Sequence, residues 1–375
     1  MRVMILEDDV WIADLLKQIV HSLRPGTQVI CHASLGKAMS DWQSQAADLL
    51  ICDWNLPDGP GTTLLERARQ DDAQIPLVMV TGRADRDSVL AVRSLRINAF
   101  ISKPFQVPKV LECLDRLLPA FSDTPTVAAS SAGSFLEFLD SQADSALDLP
   151  LQAGMQAKLD ALGRQQPSVR QLQQAWQHDP TLTGRLLAAA NSRQYNTSAT
   201  PCLSLGQALQ ILGPTTSLNI GIGLGLNPAS QLDDAELCLQ AEAQLQQIDS
   251  LHPRVAELAQ ACRLDPAPLH SAALLYRMGE LCLLQQAQLW CNAGHSLTPE
   301  QLSQALDKAS SVLANRLKAQ WRLPTPLRDL IGACYALPTI NIRREAIVMH
   351  LAASEQAAVP DADKLARLRR LAGLP

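Results

Sequence analysis

Aromatic residues are scarce in this sequence: Phe, Trp and Tyr together make up 4% of its 375 residues. With so few rings available, the cores must be built from Leu, Ala, Ile and Val, a composition that favours helices. Hydrophobic residues at 47% and charged residues at 18% are otherwise ordinary for a soluble protein. The formal net charge of -5 provides no basic field for a phosphate backbone, so nucleic acid is not expected as a partner.

Paired cysteines and long apolar runs are also missing. The nine cysteines are scattered without any CxxC pair and their number is odd, so neither a zinc knuckle nor a disulfide framework is indicated. The acidic residues Glu7, Asp8 and Asp9 come too early for a signal-peptide core, and no apolar run reaches membrane-spanning length. These absences predict a cytoplasmic protein with reduced thiols and no membrane partner.

Short apolar runs alternate with amphipathic stretches between Arg2 and about Pro119. Five of them predict strands, at residues 3–6, 29–31, 49–52, 77–80 and 99–101. Runs that are apolar throughout indicate strands covered on both faces, as in a parallel sheet wrapped by helices. Residues 1–120 are therefore predicted to form a doubly wound α/β domain of the flavodoxin type, with five parallel strands.

The composition shifts after residue 120 to Ser, Thr, Ala, Pro and Gly, which predicts a linker over residues 121–148. Phe135, Phe138 and Leu139 recur at helical spacing, so a short helix is expected within it. Residues 149–375 are helix-patterned throughout, with Pro and Gly as punctuation. A chain of this length exceeds what one core usually organises, and we predict a multidomain protein with an all-α second domain.

Acidic residues and one lysine stand where the predicted strands end. Glu7 and Asp8 follow the first strand, Asp53 the third and Lys103 the fifth. Because the carboxyl ends of parallel strands meet at one edge of the sheet, these groups are expected to converge. Carboxylate oxygens hold a hard divalent cation, and an ammonium balances a phosphoryl group. The set predicts a site for both, although any single acid here could instead be a helix N-cap.

Four motifs lie in the first third of the chain: LEDD at residues 6–9, CDWNLPD at 52–58, VTG at 80–82 and SKPF at 102–105. In order and spacing they resemble the signatures of response-regulator receiver domains, the CheY-like family. The resemblance implies that Asp53 accepts a phosphoryl group from the phosphohistidine of a sensor histidine kinase. It also implies that Glu7, Asp8, Asp53 and the backbone carbonyl of Asn55 bind Mg²⁺, or Mn²⁺ in its place.

The same resemblance implies roles for three further side chains. Thr81 would form a hydrogen bond with a phosphoryl oxygen, Lys103 would pair with another, and Phe100 matches an aromatic switch that turns inward. Taken alone, Phe100 could also be an ordinary core residue. Residues 96–99 (RINA) depart from the family, in which Gly-Ala and two acids commonly build a salt-bridged dimer face. This departure argues against that dimer, while a homodimer of another kind stays open.

The helical half carries four further motifs: WQHDPTLT at 176–183, LLAAANS at 186–192, QALQILG at 207–213 and WRLP at 321–324. In series they resemble the signatures of the HDOD family, and the resemblance runs from residue 149 to beyond residue 337. HDOD domains are similar in fold to HD phosphohydrolases but lack their metal ligands, and the resemblance implies that they act by binding other proteins. Here Tyr276 and Arg277 stand where metal-binding relatives have His and Asp. Neither a cofactor nor enzymatic activity is therefore expected in this half.

Several other residues of the helical half resemble functional motifs, but a structural role explains each of them better. The pair His178-Asp179 resembles a metal-binding dipeptide, but Pro180 follows it, which favours Asp179 as a helix N-cap. The run GIGLG at 221–225 resembles a phosphate loop, yet its helical context favours close helix packing. The remaining histidines of this half show no HExxH spacing and are expected to be structural or exposed: His252, His270, His295 and His350.

Together these patterns predict a two-component response regulator whose phosphorylation controls an HDOD domain that binds an unknown downstream protein. Two alternatives stay open: a degenerate HD-type cyclic-dinucleotide phosphodiesterase, and a transcription regulator that uses the short basic stretch 364–370. Because such a linker transmits little by stiffness, the signal is expected to pass by direct domain contact or by a change of oligomer. The expected contact is the receiver face of the fourth helix, fifth strand and fifth helix, with Arg93, Arg96, Lys109, Val107 and Val110.

Overall fold

The computed structural model describes residues 1–82, 93–118, 133–198, 200–227, 230–338, 342–357 and 359–374. The chain folds into two compact units. The first comprises Met1–Thr126, Gln156–Gln166 and Thr215–Pro228, and the second comprises Val127–Met155, Pro167–Pro214 and Ala229–Pro375. Two pieces of the helical half thus belong to the same unit as the N-terminal sheet.

A five-stranded parallel sheet forms the centre of the first unit. Its strands are β1 (Arg2–Leu6), β2 (Gln28–His32), β3 (Leu49–Asp53), β6 (Leu77–Thr81) and β7 (Ala99–Ser102), while β4 (Asn55–Leu56) and β5 (Gly59–Pro60) form a separate two-stranded hairpin. The order across the sheet is β2-β1-β3-β6-β7. The strands β1, β3 and β6 are buried along their whole length, as continuous apolar runs require. The predicted α/β fold and its five strands are confirmed.

Four described helices belong to the βα part of the first unit. They are α1 (Val10–Leu23), α2 (Leu35–Ser44), α3 (Thr62–Asp71) and α4 (Val107–Leu117). Asp9 begins α1, because its side chain accepts hydrogen bonds from the next turn of backbone N–H groups. The predicted fourth helix falls on residues 83–92, which lie outside the described residues. Val107 and Val110 of the expected contact face are buried in the folded chain.

The C-terminal half is helical, since every regular element described after residue 133 is an α- or 3₁₀-helix. Its α-helices are α5 (Phe135–Ser141), α6 (Met155–Gly163), α7 (Val169–Trp176), α8 (Pro180–Ala190), α9 (Leu205–Leu226), α10 (Ala235–Ala261), α11 (Pro266–Leu275), α12 (Met278–Asn292), α13 (Pro299–Gln320), α14 (Thr325–Ala333), α15 (Arg344–Glu355) and α16 (Ala362–Ala372). The predicted all-α architecture of this half is confirmed. Within the described ranges, no helix has the length and apolar character needed to cross a bilayer.

The short helix predicted near the end of the linker is α5. A capping box begins it, in which Ser134 and Glu137 satisfy each other's backbone N–H groups. The rings of Phe135 and Phe138 lie 5.8 Å and 5.2 Å from the ring of Trp290 in α12. These aromatic contacts hold α5 within the second unit.

A break at Gly213 divides α9 between the two units. Gly213 has a φ of 72°, a left-handed conformation that glycine adopts without a steric penalty, and Pro214 follows it. Beyond the break, a β-carbon on Gly223 would lie 2.8 Å from Cδ1 of Leu15 in α1, and one on Gly225 would overlap Gln156 of α6. The glycines of the GIGLG run therefore permit close packing, as predicted, and do not form a phosphate loop.

Candidate functional site

Three carboxylates meet where β1 and β3 end. Parallel pairing places Leu6 beside Cys52, so Glu7 and Asp8 lie next to Asp53. One carboxylate oxygen from each of these acids lies within 4.8 Å of the other two. Glu7 and Asp53 are buried and Asp8 is exposed, so the cluster is open to solvent on one side. Oxygen ligands at this spacing suit a hard divalent cation such as Mg²⁺.

Lys103, which follows β7, supplies a positive charge to this cluster. Its Nζ atom lies 2.8 Å from Oδ2 of Asp53 and 2.7 Å from Oε2 of Glu7. Its backbone N–H donates a hydrogen bond of 2.8 Å to the carbonyl of Thr81. The backbone hydrogen bonds between β6 and β7 thus continue as far as Lys103. The peptide bond between Lys103 and Pro104 is cis. The structure therefore brings the predicted acids and the predicted lysine to one edge of the sheet.

The single positive charge of Lys103 does not neutralise the negative charge of the three carboxylates. Burial raises the pKa of Glu7 to about 8, against the lowering effect of Lys103. Burial and the charge of Asp53 raise the pKa of Asp8. Burial lowers the pKa of Lys103, but the carboxylates of Glu7 and Asp53 outweigh that effect and leave this pKa above its ordinary value. The ammonium of Lys103 therefore stays charged. A divalent cation would neutralise the negative charge that the acids still carry in excess.

The other predicted residues lie on the same side of the sheet or next to it. Thr81 is the last residue of β6 and is buried. Phe100 lies on the neighbouring strand β7 and is 42% exposed, which excludes an ordinary core role. Asn55 is exposed at the start of β4, two residues after Asp53. The structure thus places an exposed aromatic side chain on the strand beside the buried Thr81.

Two contacts at this edge were not predicted from the sequence. A β-carbon on Gly61 would overlap the carbonyl oxygen of Asp53 and Sγ of Cys52, so this close approach requires glycine. The backbone N–H of Asp9 donates a hydrogen bond of 3.2 Å to Oε1 of Glu7. Glycines on both sides of Pro60 mark a tight turn, but no local pattern indicates what that turn packs against.

In the second unit, Tyr276 and Arg277 belong to a connected set of polar contacts. Nη1 of Arg277 lies 2.7 Å from Oε1 of Glu280, and the guanidinium lies 4.8 Å from the centre of the Tyr276 ring. The hydroxyl of Tyr335 donates a hydrogen bond of 2.5 Å to the carbonyl of Tyr276 and lies 3.2 Å from Glu280. The one carboxylate of this set is thus paired with a side-chain cation.

Family models match both halves of the chain. The model of the response regulator receiver domain matches residues 3–115. The HDOD domain model matches residues 149–337, half of the chain. The chain belongs to the HDOD family and carries an N-terminal receiver domain.

Known relatives of the receiver domain include two curated proteins and one solved structure. The chemotaxis protein CheY of Bacillus subtilis is 28% identical over 118 residues, which are 31% of this chain and 97% of CheY. The transcriptional regulatory protein PhoP of Escherichia coli is 27% identical over 32% of this chain and 52% of PhoP. A CheY-like receiver domain protein from Methanospirillum hungatei is 30% identical, with a TM-score of 0.29, over 31% of this chain and 90% of its own. The family model and these curated relatives support a response regulator of two-component signalling.

The HDOD domain uses Asp179 as a helix cap, as predicted. Its Oδ1 atom accepts a hydrogen bond of 2.7 Å from the N–H of Leu182, and Pro180 is the first residue of α8. Two of the histidines also have structural contacts: His295 stacks on Trp290 with ring centres 4.0 Å apart, and Nδ1 of His350 lies 2.8 Å from the carbonyl of Ala333.

Proposed function

We propose that this chain is a phosphorylation-controlled adaptor of two-component signalling. Asp53 takes a phosphoryl group from the phosphohistidine of a kinase, and this change alters how the HDOD domain binds a downstream protein. The observation that carries the proposal is the position of Lys103, whose Nζ atom contacts the carboxylates of Asp53 and Glu7. A cation held at this place stabilises the charge of a phosphoryl group during its transfer.

Mg²⁺ or Mn²⁺ is the cofactor that this site would take, because its ligands are carboxylate oxygens. Glu7, Asp8 and Asp53 would hold the ion, with the backbone carbonyl of Asn55 as a further ligand. When bound, the ion would neutralise the surplus negative charge of the acids and of the phosphoryl group. The carboxylate of Asp53 forms the new O–P bond while the N–P bond of the phosphohistidine breaks.

Thr81, Lys103 and Phe100 are proposed to convert this chemistry into a change of surface. The hydroxyl of Thr81 would donate a hydrogen bond to one phosphoryl oxygen, and Lys103 would pair with another. Movement of Thr81 toward the phosphoryl group would leave space into which the ring of Phe100 turns. The buried position of Thr81 and the exposure of Phe100 support this order of events.

A hydrogen bond within the first unit supports a direct route from the site to HDOD residues. Nδ2 of Asn219, in α9, donates a hydrogen bond of 2.8 Å to the carbonyl of Phe105, which lies two residues after Lys103. One turn further along α9, Gly223 packs against Leu15 of α1. A shift of Lys103 toward a phosphoryl group would therefore disturb the hydrogen bond between Asn219 and Phe105, and the signal would not have to pass through the linker.

The HDOD domain is proposed to bind protein rather than to catalyse a reaction. The ion pair of Arg277 with Glu280 and the adjacent Tyr335 support a site that is filled by its own side chains. Metal analysis and a turnover assay with cyclic dinucleotides test this proposal on the full chain. Stoichiometric iron or manganese together with hydrolysis would establish the phosphodiesterase alternative instead.

A capture experiment on the full chain tests the adaptor proposal. The chain is used as bait in Mg²⁺, with and without beryllium fluoride as a phosphoryl analogue, and Asp53→Asn is the matched control. We expect a bound protein whose recovery changes with the analogue for the natural chain and stays constant for the variant. Equal recovery in all four conditions, with the analogue shown to be bound, would contradict the proposal. Retention of duplex DNA that depends on the analogue would favour a transcription regulator.

A further inference from the structure

Three histidines that are distant in sequence lie side by side in the second unit. His178 lies between α7 and α8, His252 lies in α10, and His270 lies in α11. The ring centre of His252 is 5.7 Å from that of His178 and 4.3 Å from that of His270. His252 is thus the middle member of a cluster built from three different segments.

One ring nitrogen of this cluster is left without a partner. Nε2 of His270 is buried and has no hydrogen-bond partner among the described residues. A buried polar nitrogen in that state costs free energy unless a ligand binds it. Imidazole is also the commonest metal ligand among protein side chains.

We propose that His178, His252 and His270 bind one divalent transition-metal ion, with Zn²⁺ as the first candidate. Imidazole nitrogens suit Zn²⁺, and a Zn–N distance of about 2.0–2.1 Å in a tetrahedral site places ring centres roughly 5 Å apart. The two observed separations, 4.3 Å and 5.7 Å, lie on either side of that value. Water would complete the fourth position.

A small rearrangement of one side chain is needed to close this site. Within the described residues, only the acidic cluster of Glu7, Asp8 and Asp53 already brings three ligand atoms within 4.8 Å of one another. His178 is exposed, so its ring is free to change rotamer. Its backbone is held meanwhile, because its carbonyl accepts a hydrogen bond of 3.0 Å from Nε2 of Gln152. The neighbouring Asp179 is engaged in capping α8 and is not required as a ligand.

Zinc titration of the full chain by calorimetry tests the proposal. Excess Mg²⁺ is present throughout to occupy the acidic cluster, which prefers a hard cation. We expect one Zn²⁺ per chain at the histidine cluster and, with Co²⁺ as a spectroscopic substitute, visible bands of a tetrahedral nitrogen site. His252→Ala and His270→Ala should each weaken Zn²⁺ binding by at least about tenfold, since even the loss of an outer partner costs roughly 10–100-fold.

Matched controls make the result decisive. His21→Ala removes another half-buried helical histidine and should leave Zn²⁺ binding unchanged. Because His178 is exposed, His178→Ala tests the site even where the other two variants fail to fold. Absence of Zn²⁺ binding in excess Mg²⁺ would overturn the proposal. So would binding that survives His178→Ala unchanged, or that His21→Ala weakens equally.

Discussion

Lys103 donates a hydrogen bond of 2.8 Å from its Nζ atom to Oδ2 of Asp53. The same ammonium contacts Glu7, so a group added to Asp53 cannot be accommodated without a rearrangement of Lys103. Because the backbone of Lys103 is held by the strand ladder, its side chain and the following loop are the parts free to respond. This single ion pair links the chemistry of the acidic cluster to the loop that contains Phe105.

Asp53→Asn should abolish labelling by acetyl phosphate in the presence of Mg²⁺. An amide is a poor nucleophile and a weaker metal ligand than a carboxylate. The measurement is the mass of the intact chain before and after reaction. Asp58→Asn is the matched control and should be labelled normally, because Asp58 caps α2 through the N–H groups of Leu35 and Gly36. Labelling of the Asp53 variant at another residue would contradict the assignment.

Lys103→Ala should leave Mg²⁺ binding largely intact and uncouple phosphorylation from the rest of the chain. Removal of the ammonium leaves the three carboxylates more negative, so the attraction for a cation persists. Mg²⁺ affinity is measured by calorimetry, and the response to phosphorylation by hydrogen exchange in residues 215–226. Lys37→Ala, which removes an exposed lysine of α2, should behave as the natural chain. A normal phosphate-dependent response in the Lys103 variant would count against the proposed role.

Without divalent cations, the free energy of unfolding should fall as the pH rises between about 4.5 and about 8. The pKa of Glu7 is raised from 4.5 to about 8 in the folded chain, so the folded state binds more protons than the unfolded state in this window. One such group contributes a slope of at most about 1.4 kcal/mol per pH unit. Thermal unfolding in the presence of a chelator should show this decrease of the free energy of unfolding with pH. In the Glu7→Gln variant, the part of the decrease that Glu7 contributes should be absent.

Saturating Mg²⁺ should abolish that pH dependence, because the bound ion keeps Glu7 deprotonated in the folded state, as it already is in the unfolded state above about pH 4.5. The ion binds the deprotonated carboxylates, so its affinity rises with pH until Glu7 has lost its proton near pH 8. Calorimetry in buffers of different ionisation enthalpy measures the proton released on Mg²⁺ binding. A Mg²⁺ affinity that is constant between pH 6 and pH 8, within the window set by the raised pKa, would show that Glu7 is already ionised.

Asn219→Ala should loosen the contact between α9 and the loop after Lys103. Loss of the hydrogen bond to Phe105 costs about 0.5–1.5 kcal/mol, and hydrogen exchange should rise in residues 103–107 and 215–226. Asn196→Ala is the matched control, since Nδ2 of Asn196 donates a similar bond of 2.7 Å to the carbonyl of Thr200. Exchange in residues 103–107 should not respond to that control. Unchanged exchange in both variants would show that the contact carries no signal.

Gly279→Ala should destabilise the HDOD domain by about 1–3 kcal/mol or more, because its β-carbon would overlap the carbonyl of Ser310 where α12 packs on α13. Gly332→Ala is the matched control in α14, where the added β-carbon would meet no atom of the described residues within 4 Å beyond its chain neighbours and its own helix backbone. That variant should instead gain about 0.5–1 kcal/mol from helix propensity. Denaturant unfolding distinguishes the two outcomes, and equal effects would refute the packing argument.

Local sequence patterns were enough to predict the strands, several helix starts and the core of the candidate site. Continuous apolar runs predict the five strands, and because parallel strands end at one edge, the sequence already predicts that Glu7, Asp53 and Lys103 meet. Helix starts such as Asp179-Pro180 were equally predictable, since capping depends on residues a few positions apart. In each case the information lies within one turn or one strand of the residue concerned.

Tertiary structure alone decided which distant surfaces meet. Periodicity indicates that a side chain is buried but not what covers it, so neither the approach of Gly61 to Asp53 nor the bond from Asn219 to Phe105 was predictable. The same reason explains why Gln156–Gln166 and Thr215–Pro228 pack in one unit with the sheet. The three clustered histidines come together in the same way, because contacts across long stretches of chain depend on complementary surfaces rather than on local spacing.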